Sequence, residues 1–212
     1  PGVFGATKQA VMPQYSFPLA GQLIRGAELH AWMFEAIPLV DAPIRICSAY
    51  MRSEAMQPLL SRLPEGATGE VLVRWRFEDL VRGSSDLRLF ELCNQRGLKL
   101  YMRQQFHGKV YALPPVGIGM GSANATLSGF GLHAQANTEV CTLVPQTTQS
   151  LAHVDSLFDG AKKSFPLPHG RGTYVPGDVA RDDVDVAGVQ AFQSSGAPWV
   201  LPTRLSSYLV LA

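Results

Sequence analysis

Two short stretches decide the fold: Phe106-His107-Gly108-Lys109-Val110-Tyr111 and, beyond the Pro114-Pro115 pair, Met120-Gly121-Ser122-Ala123-Asn124. Alternate side chains of a strand share a face, so His107, Lys109 and Tyr111 project together. Apolar residues alternate with glycines between positions 116 and 120, which is typical of a half-buried strand. Proline cannot donate a hydrogen bond to a sheet, so the Pro-Pro pair indicates a turn. The sequence therefore predicts a β-hairpin that places His107 opposite roughly Ser122.

The side chains on this hairpin suit phosphoryl transfer from a diester. The His107 imidazole can attack phosphorus and leave again, and the Lys109 ammonium supplies a compact positive charge. Ser122 and Asn124 supply neutral donors for the non-bridging oxygens. We interpret the hairpin as a phosphodiester site, and its chemistry requires neither a metal ion nor a cofactor.

Strands and helices alternate on the N-terminal side of the hairpin. The patterns predict strands at 44–50, 70–75 and 98–102 and helices at 19–37, 53–63 and 85–96, followed by a strand at 137–144 and a helix at 146–164. Such alternation is typical of an α/β sheet whose central strands are largely parallel. We expect a mixed, largely parallel sheet that is flanked by helices. We expect one catalytic domain over residues 1–164. The Pro/Gly-rich residues 165–212 would be an extension or the start of a further domain.

The loop after the second predicted strand carries candidate substrate-binding residues, Arg74, Trp75 and Arg76. Arginines that share a face can contact phosphates, and an indole can stack on a base. The structural alternative is a solvated loop with an anchoring tryptophan. Glu139 is a further candidate, because an acid in an apolar run needs a partner. An imidazole, a pair of backbone amides or an arginine could be that partner.

Composition excludes little about function. The chain has 212 residues, 46% of them hydrophobic, and a formal charge of +1, which neither requires nor excludes a polyanionic partner. Its three cysteines lack metal-site spacing and are typical of buried thiols in a reducing compartment. No apolar run approaches the ~20 residues that span a bilayer, and the first residues do not resemble a signal peptide. We expect a cytoplasmic protein without membrane insertion.

The order His107-x-Lys109, Gly121-Ser122-x-Asn124 and Glu139 resembles the phospholipase D superfamily, whose signature is H-x-K followed by G-S-x-N. The resemblance covers about residues 19–164. It is closest in style to bacterial nucleases and to restriction or phage-defence domains that have one motif per chain. The family signature has an Asp five positions after the Lys, where this chain has Pro114. Lipid-acting members tend to keep that Asp, so its absence favours a nuclease. A degenerate, catalytically inactive member of the family remains an alternative.

The resemblance implies a metal-independent nuclease that cleaves DNA or RNA through a covalent phosphohistidine at His107. Lys109, Ser122 and Asn124 would hold the phosphate oxygens, and Glu139 resembles the acid that orients the imidazole. A second histidine is needed, and the family supplies it from a symmetry mate, so we expect a homodimer. Further partners would be an additional domain or a defence complex. The alternatives are a phosphodiesterase for phospholipids or small diesters, and a non-catalytic module that binds nucleic acid or acts as a scaffold.

Overall fold

The computed structural model describes residues 21–163 and two short strands at 173–174 and 184–185. Residues 1–20 and most of the predicted extension at 165–212 lie outside the described residues. The boundary expected near residue 164 therefore stays a prediction.

Ten strands and five α-helices are described. In chain order they are β1 (Leu23–Ile24), α1 (Gly26–Ala36), a 3-10 turn (Ile37–Leu39), β2 (Ile44–Ser48), α2 (Ser53–Leu60), β3 (Gly69–Val73), α3 (Phe77–Val81), α4 (Arg88–Gln95), β4 (Leu98–Met102), β5 (Lys109–Leu113), β6 (Gly117–Gly121), β7 (Cys141–Val144), α5 (Thr148–Ser156), β8 (Lys162–Lys163), β9 (Thr173–Tyr174) and β10 (Val184–Asp185). Among the described strands, β9 and β10 pair with each other and with no third strand.

The other eight strands form one mixed sheet in the order β1-β7-β6-β5-β2-β3-β4-β8. Parallel pairing is confined to β2, β3 and β4 among the described strands, whereas the remaining neighbours pair antiparallel. The expectation of an α/β sheet flanked by helices is confirmed, but the expectation of a largely parallel sheet is wrong. Helices connect β2 to β3 and β3 to β4, which pair parallel, whereas the strands from β4 to β7 follow one another through turns and loops. β8 follows the helix α5 and pairs antiparallel with β4.

The predicted hairpin is confirmed. Val110 pairs with Met120 and Leu113 with Gly117, and the turn at 114–116 contains the Pro-Pro pair. Continued by three residues beyond the Val110–Met120 pair, this register places His107 opposite Ala123, one position from the expected partner. The two halves of the sequence pattern therefore meet at one end of the sheet.

The core lies between this sheet and the helices α1, α2 and α4, and Tyr111, Phe130 and Leu29 are among its fully buried side chains. α1 packs closely on β6 because Gly119 has no side chain; a Cβ there would lie 2.5 Å from Leu29. The helix begins seven residues later than expected, at Gly26, because Leu23–Ile24 pairs with β7 at the sheet edge.

The remaining local predictions concern a helix end, the cysteines and the membrane. α4 ends near the predicted boundary at residue 96, before Gly97, whose φ of 68° is the left-handed conformation typical of a glycine that terminates a helix. Cys47, Cys93 and Cys141 are free thiols and buried, as expected. Within the described ranges, no helix has both the length and the apolar character to cross a membrane.

Candidate active site

The candidate site lies where β2 ends, β5 begins and β6 ends. The loop after β2 joins the two halves of the sequence pattern through main-chain hydrogen bonds. The Ala49 N–H donates to the Gly108 carbonyl at 3.2 Å, and the Arg52 N–H donates to the Ala125 carbonyl at 3.0 Å. One loop therefore fixes the distance between the H-x-K stretch and the G-S-x-N stretch.

Lys109 is buried beneath the backbone of its own motif. Its Nζ donates to the His107 carbonyl at 2.8 Å, and the residue is 9% exposed. Burial is the main cause that lowers the pKa of Lys109; the Glu139 carboxylate opposes this shift, and the Arg74 charge adds to it. One Lys109 N–H is thus used internally, and an ammonium has further N–H groups for a phosphate oxygen.

The His107 imidazole is exposed at the sheet end, with its ring edge-to-face against Tyr50 and the ring centroids 6.5 Å apart. The positive charge of Lys109 is the largest cause that lowers the pKa of His107. Partial burial, Arg74 and Arg76 act in the same direction, and Asp79 opposes them. This electrostatic environment favours the neutral imidazole, which is the form that can attack phosphorus.

Asn124 presents its amide nitrogen to the site because its oxygen is already used. The Oδ1 atom accepts a hydrogen bond from the Tyr50 N–H at 3.2 Å and lies 3.5 Å from the Ser48 hydroxyl. A backbone N–H requires an acceptor, so this contact fixes which way the amide is turned. The Asn124 Nδ2 has no hydrogen bond to any described residue, so its N–H groups are available to a substrate oxygen.

Ser122 and Glu139 form a separate polar cluster beside these residues. The Ser122 hydroxyl donates to Glu139 Oε2 and accepts from the Val140 N–H at 3.0 Å, and Asn137 donates to Glu139 Oε1 at 3.0 Å. The partners of this buried acid are therefore a hydroxyl and an amide. Within the described part of one chain Glu139 makes no hydrogen bond to His107, and the orienting role implied by the resemblance stays a prediction.

Glycines and a buried tyrosine hold the second stretch in place. A Cβ at Gly121 would lie 2.4 Å from the Val140 carbonyl oxygen. A Cβ at Gly129 would lie 2.3 Å from the Asn124 carbonyl oxygen. The fully buried Tyr111 donates its hydroxyl to the Ala123 carbonyl at 2.7 Å. A strand residue two positions beyond Lys109 thus anchors the loop that carries Asn124.

The three candidate substrate-binding residues after β3 have different environments. Arg74 makes two hydrogen bonds to the carboxylate of buried Asp79, at 2.9 and 2.8 Å, and its side chain is only 11% exposed. Trp75 lies in the hydrophobic core and is 7% exposed, which excludes a stacking surface and favours the anchoring alternative. Arg76 is exposed and donates to the Gln104 carbonyl at 2.8 Å. Of these three, Arg76 is the one with an exposed side chain.

Sequence reasoning missed Tyr50, Asp79 and Asn137 as parts of this site. Tyr50 had a usable signal, because it ends a predicted strand and ligands of open α/β sheets bind at the carboxyl ends of strands. Asn137 and Asp79 had none, because Asn137 lies in an irregular segment and the contact of Asp79, on α3, depends on tertiary packing. In the described ranges, no group of three or more His, Cys, Asp or Glu side chains is placed to hold a metal ion.

Comparisons with known proteins give structural relatives only. No family model matches the chain, and no curated protein matches it by sequence. Nuc from Salmonella typhimurium, described as a phospholipase D family member, is similar over 67% of this chain and 95% of its own, with 19% identity and a TM-score of 0.52. NucT from Helicobacter pylori is similar over 66% and 96%, with 12% identity and a TM-score of 0.50.

The third comparison is the phosphatidylserine synthase of Haemophilus influenzae. It is 14% identical over 66% of this chain and 38% of its own, with a TM-score of 0.50. At these identities the likeness concerns the fold, and two of the three structures are matched over nearly their whole length. The chain has the fold of the phospholipase D superfamily.

Proposed function

We propose that this chain is a metal-independent phosphodiesterase that cleaves DNA or RNA through a covalent intermediate on His107. One observation carries the proposal: an exposed imidazole whose pKa is lowered lies at the same sheet end as the Lys109 ammonium and the unengaged amide of Asn124. These are a nucleophile and two donors for a phosphate, held on regular strands and their adjoining loops.

The reaction would proceed in two displacements. In the first, an imidazole nitrogen of His107 forms a bond to phosphorus while the bond to the leaving oxygen breaks, and a second, protonated imidazole gives its proton to that oxygen. In the second, water transfers a proton to the second imidazole, its oxygen bonds to phosphorus, and the phosphorus–nitrogen bond breaks. Lys109 and Asn124 would stabilise the charge on the equatorial oxygens in both steps. Ser122, whose hydroxyl is hydrogen bonded to the buried Glu139, would lie near these oxygens at the edge of the cradle.

The second imidazole would come from a partner copy in a two-fold dimer. Of the other histidines in the described ranges, His30 packs against Phe130 and His133 and His153 are surface residues, and none is followed by a lysine at the motif spacing. A two-fold axis beside His107 would bring the same residue of each subunit to one shared site.

An exposed apolar patch beside the site supports this dimer. Leu23 and Met120 flank Thr142 in the register of the sheet, and Val140 lies two residues before Thr142 on the same face. Leu23, Met120 and Val140 are 74%, 40% and 56% exposed. Because Val140 is hydrogen bonded to Ser122, a partner that covered the patch would also reach the site.

Two features favour nucleic acid over lipid. Pro114 occupies the place of the Asp that lipid-acting members tend to keep. Arg76 follows β3 and Arg103 follows the neighbouring parallel strand β4, and both are exposed. Their positive charges could bind the phosphate backbone of a nucleic acid. A role in restriction or phage defence belongs to the same proposal, because the sequence pattern is similar to that of such domains. A phospholipid diester is the second candidate, favoured by the fold likeness to phosphatidylserine synthase.

A cleavage assay in EDTA tests the proposal. Supercoiled plasmid, single-stranded DNA, RNA and phospholipid vesicles are each incubated with the protein, and the His107→Gln variant is the control. We expect nucleic acid to be cut and the variant to lose more than about 10³-fold of that activity, the scale of a removed nucleophile. Turnover of lipid alone would support the second candidate. Binding of nucleic acid without cleavage would support a non-catalytic module, and loss of cleavage in EDTA would refute the mechanism.

A further inference from the structure

Tyr50 contacts both halves of the site, although it belongs to neither half of the sequence pattern. Its N–H donates to Asn124 Oδ1 at 3.2 Å, and its carbonyl accepts from the Ser48 hydroxyl at 2.6 Å. Its ring packs edge-to-face against the His107 imidazole, at an interplanar angle of 89°. The backbone of Tyr50 therefore orients one functional group, and its side chain packs against the other.

The Tyr50 side chain is held in turn by a buried ion pair. Arg74 Nη2 donates to the Tyr50 hydroxyl at 2.7 Å, and the guanidinium carbon lies 4.7 Å from the Tyr50 ring centroid. The same guanidinium makes two hydrogen bonds to Asp79, whose side chain is 8% exposed. Two parallel bonds to a carboxylate fix the plane of a guanidinium. The Arg74–Asp79 pair is thus a rigid support for the phenol.

This arrangement also explains why Arg74 is poorly suited to bind substrate. Its charge is compensated by Asp79, and the hydrogen bonding of Arg74 to the Asp79 carboxylate is the main cause that raises the pKa of Arg74. When one member of a buried ion pair is removed, the charge of the other member is left uncompensated, so both members act together. The residue is better placed to fix Tyr50 than to bind a mobile phosphate.

We propose that Tyr50 is a positioning residue of this site, which holds the Asn124 amide and the His107 imidazole in the geometry that attack on phosphorus requires. The inference rests on the proposed function. In one chain, Tyr50 performs part of the task that the sequence pattern suggested for Glu139, since it packs against the imidazole while Glu139 binds Ser122 and Asn137. The aromatic contact restricts the orientation of the ring, and the Arg74 hydrogen bond keeps the aromatic group in place.

Two substitutions of Tyr50 separate its ring from its hydroxyl. Tyr50→Phe removes the hydrogen bond to Arg74 and keeps the ring, so we expect kcat to fall about tenfold, the scale of one lost hydrogen bond. Tyr50→Leu removes the ring contact as well, and we expect a fall of about 100-fold, because misplacement by about 1 Å has that effect. The KM should stay within about twofold, since a positioning residue does not bind the substrate.

The matched control is Tyr101→Phe, which removes another tyrosine hydroxyl bonded to a charged side chain, Glu70, at 3.2 Å. Tyr101 lies on β4 and packs against Phe158. We expect its kcat to equal that of the unmodified chain. Thermal unfolding of all three variants shows whether they are folded.

A second readout does not depend on turnover. The NMR signals of the His107 ring, assigned by their loss in His107→Gln, report how the ring is held. We expect them to shift in Tyr50→Leu and to stay in place in Tyr101→Phe. Unchanged signals together with an unchanged kcat in folded Tyr50→Leu would overturn the inference, as would a higher KM at constant kcat. If the unmodified chain cleaves no diester, the proposed function fails, and the ring signals still decide the role of Tyr50.

Discussion

At the scale of single residues, the charge of Lys109 lowers the pKa of His107 more than burial does. Its imidazole is exposed, and the ammonium two residues away is the largest cause of its lowered pKa. In the proposed mechanism one His107 must be neutral and the His107 of the partner copy must be protonated, so we expect activity to fall on both sides of this pKa. A lowered pKa therefore moves the expected pH optimum toward acid.

Removing the Lys109 charge should raise the pKa of His107 toward its ordinary value of about 6.5. Lys109→Met keeps most of the buried volume, and Arg76→Gln, which removes a smaller cause, should raise the pKa of His107 less. Asp79→Asn should change the pKa in the opposite direction, because the Asp79 charge raises it. Titration of the His107 NMR signals measures all three. An unchanged pKa in Lys109→Met would show that the ammonium does not act on the imidazole.

Asn124→Asp tests the free amide nitrogen without disturbing the backbone contact. A carboxylate oxygen still accepts from the Tyr50 N–H, but the donor to the phosphate is replaced by a negative charge. We expect kcat to fall by about 10²-fold or more, the effect of a lost oxyanion donor, with little change in melting temperature. Activity within about threefold of the unmodified chain would exclude Asn124 from the phosphate cradle.

At the scale of elements, the structure separates what local pattern can predict from what it cannot. The β5–β6 hairpin, its turn and the central strands β2, β3 and β4 follow from apolar periodicity and proline chemistry, which are local. The directions of pairing do not, because they depend on connections between distant strands. The same limit applies to the site: the H-x-K and G-S-x-N residues are visible in sequence, whereas burial of Trp75 and the Arg74–Asp79 pair depend on tertiary packing.

The position of the loop that carries Asn124 should depend on the absence of a Cβ at Gly129. Gly129→Ala would place a Cβ 2.3 Å from the Asn124 carbonyl oxygen, which must then move. We expect a loss of about 1–3 kcal/mol in the free energy of unfolding, as for other overpacked sites, and a large fall in kcat.

Gly160→Ala is the matched control for this loop. Gly160 has a φ of 71°, with nothing within 4 Å of the added Cβ, so the substitution strains the backbone by about 1 kcal/mol and leaves the site unchanged. Chemical denaturation and initial rates are compared for both variants. Full activity in a destabilised Gly129→Ala protein would refute the coupling between this glycine and Asn124.

At the scale of the whole molecule, the proposed mechanism requires two copies of a chain that carries one H-x-K sequence. The apolar patch of Leu23, Met120 and Val140 is the surface that a second copy would cover. Dimer formation and activity should therefore be lost together.

Val140→Lys tests this link, because a charge at an apolar contact opposes association. We expect light scattering to show a dimer for the unmodified chain and a monomer for the variant, with a parallel loss of cleavage. Ala152→Lys places a charge on an exposed position of α5 and should change neither property. A monomeric Val140→Lys protein that keeps full activity would contradict a site shared between subunits.

The covalent intermediate is the central claim, and mass spectrometry tests it most directly. The protein is mixed with a short DNA or RNA substrate in EDTA, quenched within the first turnover and digested under conditions that preserve phosphohistidine. We expect the peptide that contains His107 to carry the mass of the phosphoryl fragment, and the adduct to be absent from His107→Gln. Cleavage in EDTA with no adduct at His107 would contradict the account.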